Sequence, residues 1–179
     1  LRHSGVQQVV GKMKKYTPSN VEYLAGCLKD AKERNSKPFA LLVGAGLSRS
    51  AGIPTAPELV HEINETPRLA RHIQSLGDED RLDYAMCMSS LTDEDRRLLL
   101  DPKLEKSVVN WASLVVGVLL KNNYLRRVLT FNFDNVLARA CGIGGHYPPI
   151  YDFSVNPPSE FSFLKEGGII HLHGQGSGL

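Results

Sequence analysis

The chain is short of cysteine. Its 179 residues hold three, Cys27, Cys87 and Cys141, with no Cys-x-x-Cys pair among them. A four-cysteine zinc module is therefore excluded within this sequence, and scattered single cysteines suit a reducing compartment. An excess of one charge is missing too, since 21 Lys and Arg against 19 Asp and Glu leave a formal net charge of +2. Binding to nucleic-acid phosphates usually shows as a basic excess or stripe. No direct nucleic-acid partner is expected, and KMKK (12–15) reads as a solvated helix face. Long apolar runs are absent. The longest, WASLVVGVLL (111–120), is too short to span a bilayer, and no secretory signal opens the sequence. The expectation is a soluble cytoplasmic protein with no membrane partner. Because residue 1 is Leu and not Met, a processed, trimmed or partial product is also expected.

What is present divides into a helical lead-in, 1–37, and one α/β domain, 38–179. SNVEYLAGCLKDAKER (19–34) offers Ser19 or Asn20 as a cap and spaces Val21, Leu24, Ala25 and Leu28 as a helix does. PFALLVG (38–44) is an unbroken apolar run between Pro38 and Gly44, the pattern of a strand buried on both faces. APELVHEIN (56–64) starts a helix, with Pro57 in its first turn and Glu58 suited to its positive end. Residues 65–106 are charged and read as helical. SVVNWASLVVGVLLKNN (107–123) is apolar nearly all round and reads as an interior helix, with Trp111 in the core. In RRVLTFNFDNVLARACG (126–142), Val128–Thr130 form a strand and a helix runs from near Asp134 to before Gly142. Residues 143–166 read as a long surface loop, and GGIIHLHG (167–174) as a short apolar strand that stops at a glycine.

Strands alternating with helices imply a Rossmann-like parallel sheet with helices on both faces, whose ligands bind beyond the carboxyl ends of the strands. Three polar groups fall at that edge: Ser48 with its glycines, Asn132 with Asp134, and His173. In LLVGAGLSRSAGIP (41–54), Gly44 and Gly46 can supply positive φ and let a ligand approach the backbone, and a following helix N-terminus would add free amides. The dinucleotide fingerprint fails at Arg49, and no Gly-Lys-Ser/Thr follows. By itself the loop fits a ligand cradle and a structural turn equally.

The string GAGLSRSAGIP is similar to the Gly-Ala-Gly-x-Ser-x-x-x-Gly-Ile-Pro signature of sirtuins. Further along, TFNFD resembles their Thr-Gln-Asn-Ile-Asp segment, and HLHG the strand that carries their catalytic histidine. The three motifs occur in the family's order within residues 38–174. Deacylase cysteine pairs are missing, Thr55, Ala56 and Pro57 replace their Asp-Phe-Arg, and Phe131 replaces their glutamine. These departures resemble the zinc-free, NAD-hydrolysing branch common in prokaryotic antiphage defence proteins. The resemblance implies a sirtuin-like fold with no metal, further strands beyond the histidine, NAD as substrate, and a homo-oligomer or fused or partner regulatory domains.

For the residues, the resemblance implies His173 and Asn132 as catalytic. NAD would be held by Gly44, Ala45, Gly46, Ser48, Gly52, Ile53, Pro54, Thr130 and Asp134. His173 would act as base or ribose-hydroxyl partner, and Asn132 would orient water and a ribose oxygen. Asp134 would accept from the nicotinamide amide, cap the following helix, or both. Ser48 would line the nicotinamide pocket, and Ala45 and Gly46 would offer amides to phosphate. Arg49 reads as exposed, and His171 as lying deeper beneath the sheet edge. Alternatives of the same ancestry are an NAD-dependent protein deacylase or ADP-ribosyltransferase; an alternative of another class is a non-catalytic domain sensing NAD or ADP-ribose.

Overall fold

Four short apolar segments pair into one sheet: β1 (Phe39–Val43), β2 (Leu125–Thr130), β3 (Ile150–Asp152) and β4 (Gly168–His171). The computed structural model describes residues 21–34, 39–153 and 167–172. All pairings are parallel, in the order β1-β2-β4-β3, so the strand latest in sequence lies between two earlier ones. Register aligns Leu41 with Val128 and Val128 with Ile169, and two residues on it aligns Val43, Thr130 and His171 across the carboxyl edge.

Seven α-helices accompany the sheet among the described residues: α1 (Val21–Glu33), α2 (Ala56–Glu65), α3 (Pro67–Ala70), α4 (Tyr84–Ser90), α5 (Asp93–Glu105), α6 (Trp111–Lys121) and α7 (Val136–Ile143). Val116 and Leu120 of α6 and Leu137 and Cys141 of α7 pack on Val128 and Ile169, joined by Leu28 of α1. The α2–α5 stretch builds a second core of its own around Leu59, Ile63, Ile73, Cys87 and Leu99. It is a helical insert between β1 and β2. No described helix is long and apolar enough to cross a membrane.

The α/β class and parallel sheet agree with the sequence reading, and several particulars do not. β4 is buried at every position because it has a strand on each side. β1 has a neighbour on one side only, and Leu42 is 61% exposed. An apolar run predicted a strand covered on both faces; at β1 that cover is absent among the described residues. The helix expected over 107–123 starts only at Trp111, where Asn110 caps it by accepting the Ser113 N–H (2.9 Å). Nor is it interior throughout: Ser113, Val116, Gly117 and Leu120 are buried, whereas Trp111 is 82% exposed and belongs to no core. The 143–166 loop contains strand β3, whose three residues follow two prolines. α7 continues through Gly142 to Ile143. The Ser19 or Asn20 cap, the start of the lead-in and His173 lie outside the described residues.

The start of β4 needs its glycines. Gly167 and Gly168 have φ of +83° and +134°, and a Cβ at either would collide with a backbone oxygen, that of Arg126 or of Pro149. Only glycine combines that conformation with so close an approach.

Candidate functional site

The loop leaving β1 coils into two 3-10 turns, Ala45–Leu47 and Arg49–Ala51, and ends at Gly52, whose φ of +91° reverses the chain. Gly44 has φ −140°, and neither it nor Gly46 has positive φ, so the sequence argument for those two glycines is corrected. A Cβ at either would meet nothing within 4 Å. Ala45 and Gly46 open the first turn, so their N–H groups find no acceptor within it.

The start of α2 carries a carboxylate of its own where an anion would approach. It belongs to Glu58, whose Oε2 accepts from the Thr55 N–H (2.7 Å) and Thr55 hydroxyl (2.8 Å). Its Oε1 accepts from Arg49 (2.9 Å). The Thr55 hydrogen bonds, backbone first, and then Arg49 bring the Glu58 carboxyl down to about 2. A carboxylate ionised at that helix end repels an incoming anion, and Pro57 has no N–H to give. Arg49, exposed as expected, is a partner of Glu58.

The link from β2 to α7 reaches the same place. Thr130 Oγ1 accepts from the Asn132 N–H (2.9 Å), and His171 Nδ1 contacts the Asn132 carbonyl at 2.8 Å. A carbonyl only accepts, so Nδ1 carries the proton and donates. With its backbone held on both sides, Asn132 donates its side-chain Nδ2 to Ser48 Oγ (2.9 Å), joining positions 84 residues apart. Asp134 Oδ1 accepts from the Val136 N–H (2.9 Å), a turn that satisfies the first amide of α7, whereas the cap position itself is Asn135 and makes no side-chain cap bond. Ser48, Thr130, Asn132, Asp134 and His171 are all buried.

Between these segments and the helical insert lies a cavity of about 320 Å³. Its polar lining is Ser48, Asn132 and Asp134; Ala45, Ile53, Pro54, Phe131 and Phe133 complete the loop side, and Ala56, Leu59, Tyr84, Met88 and Leu100 the insert side. Such a volume and such a mixture suit a small-molecule site. Gly44, Gly46, Gly52 and Thr130 are not part of the lining, and Thr130 meets it only by accepting the Asn132 N–H. The lining holds one ionisable carboxylate and no basic side chain, so it favours a neutral or cationic group over a phosphate.

On the insert side the sequence shows the helix that carries Ala56 and Leu59 but no sign that it lines a cavity. Tyr84, whose hydroxyl is pushed up in pKa by burial, sits in a charged stretch with no motif around it. Asn110 was missed too, though an asparagine directly before an apolar helical run is a cap signal. Among the described residues no group of three or more His, Cys, Asp or Glu is placed to hold a metal ion. No protein-family model matches this chain, and no curated protein matches it either.

Proposed function

We propose that the cavity receives the nicotinamide–ribose end of NAD and that the protein hydrolyses the bond joining them, giving nicotinamide and ADP-ribose. The observation carrying this reading is the Asn132–Ser48 hydrogen bond (2.9 Å), which seats the two sirtuin-like motifs on one cavity beyond the carboxyl edge of a parallel sheet. Two more features support it. The pyridinium ring of NAD is flat, apolar on its faces and cationic, which suits a lining of Phe131, Phe133 and Met88 with the Asp134 carboxylate. Phosphate is better placed at the Ala45 and Gly46 amides than inside the cavity.

Cleavage passes through an oxocarbenium-like state, as in glycoside transfer generally. Nicotinamide leaves neutral, so no general acid is required. What the chain has to supply is a fixed ribose, a held carboxamide and an oriented water. In this reading Ser48 and Asp134 hold the carboxamide, and Asn132 orients water and a ribose oxygen. His173 takes the proton; that assignment rests on the motif HLHG. No zinc is needed.

Incubating the protein with NAD and identifying products by mass tests the reading. Nicotinamide and ADP-ribose are expected with no added acceptor. NAD left intact would overturn it. Acetate released from an acetyl-lysine peptide faster than NAD is hydrolysed would replace it with a deacylase.

A further inference from the structure

Asn110 stands outside the cavity lining, yet like Asn132 it ties the glycine loop to the body of the fold through its side chain. It is 8% exposed. Its Nδ2 donates to the Leu47 carbonyl (2.6 Å) and to Ser50 Oγ (2.9 Å), 63 and 60 residues away. Its Oδ1 faces the other way and accepts the Ser113 N–H at the start of α6 (2.9 Å). Leu47 and Ser50 flank Ser48, the residue that meets Asn132. The segment leading to Asn110 is itself anchored: the Val108 N–H donates to the Ala51 carbonyl (2.9 Å), and Arg139 of α7 donates to the Ser107 carbonyl (2.9 Å).

We propose that Asn110 is a positioning residue for the cavity. Its amide holds the Leu47–Ser50 turn so that Ser48 stays against Asn132, and through that contact it controls productive binding of the NAD proposed above. The role needs two donors on one atom and an acceptor on another, as Nδ2 and Oδ1 supply here; a carboxylate has no donor, and a hydroxyl has one O–H on the same shorter-reaching atom that must accept. A helix cap alone makes no such demand, because Asp and Ser cap about as well as Asn.

That difference supplies the test. Asn110→Asp and Asn110→Ser keep the α6 cap and remove the Nδ2 donors, Asp having no donor and Ser one on a side chain an atom shorter, so the Leu47 carbonyl and Ser50 Oγ lose the partner they share. In full-length protein, hydrogen exchange of the Leu47–Ile53 amides is expected to accelerate about tenfold in both variants, with α6 amides unchanged. KM for NAD is expected to rise about tenfold, with a smaller change in kcat. The Asn110→Asp defect should also shrink as pH falls, because a protonated carboxyl regains one donor, whereas that of Asn110→Ser should not.

Wild-type loop exchange in both variants would overturn the proposal. So would faster exchange with an unchanged KM, since the loop position would then not matter to the substrate. If the wild-type protein leaves NAD untouched, the NAD reading fails and with it the control of NAD binding. The exchange data would still decide whether Asn110 holds the loop.

Discussion

The cavity has two walls of opposite construction. The loop wall, residues 45–54 and 131–134, is joined by hydrogen bonds between residues far apart in sequence, with Asn132 reaching Ser48 across 84 positions. The helical wall, from α2, α4 and α5, is apolar but for the Tyr84 hydroxyl and belongs to a core whose buried residues all fall within Leu59–Leu100, with Phe133 of the loop wall packed against it. One wall places polar atoms; the other supplies shape and keeps water out. Damage to the first should therefore appear in chemistry, and damage to the second in stability.

The largest effect expected is on the helical wall. Ile63 is fully buried in the insert core, and Ile63→Ala should cost about 2–5 kcal/mol in denaturant unfolding. Activity per folded molecule should stay near wild type; a loss as deep as that of a loop-wall variant would break the comparison. Next comes Asn132→Ala, which should lower NAD cleavage about 100-fold. Its stability cost should be only about 1 kcal/mol, because one side-chain hydrogen bond is lost while the backbone contacts to Thr130 and His171 remain.

A smaller effect sits where the walls meet, at Glu58 of α2 with Thr55 and Arg49. Its folded-state value of about 2 lies below the ordinary 4.5. A lowered carboxylate contributes stability that is complete above the ordinary value and is lost as pH falls through the folded one. The melting-temperature gap between wild type and Glu58→Gln should thus be constant above pH about 5, narrow below 4.5 and close near 2. The smallest effect belongs outside both walls: Trp111→Ala, at 82% exposure, should shift unfolding by less than about 0.5 kcal/mol.

The same contrast separates what the sequence displays from what only the fold creates. The loop wall was legible because its chemistry is concentrated in short strings: Ser48, Asn132 and Asp134 were singled out, and the structure brings all three to one cavity. The start of α2 was legible through Pro57 and Glu58. The helical wall left no string to read, since Tyr84, Met88 and Leu100 are ordinary core-forming residues whose shared surface exists only after folding. Burial was misjudged where it depends on sheet position. FALLV and GIIH look alike as apolar runs, but among the described residues one has a neighbouring strand on one side only and the other on both. Trp111 was misplaced because α6 is apolar on more sides than it buries.

The strand order also has a consequence for synthesis. β1 and β2 can pair as soon as both have left the ribosome, but β3 has no partner until β4 arrives to fill the gap between it and β2. At about 5–20 residues per second, the 19 positions from Asp152 to His171 take about 1–4 s. Throughout that interval the inner side of β2 and the whole of β3 offer unmatched backbone groups to any neighbouring nascent chain. Slowing translation between these strands should lengthen the exposure and raise the demand for chaperones, with no change to the finished molecule.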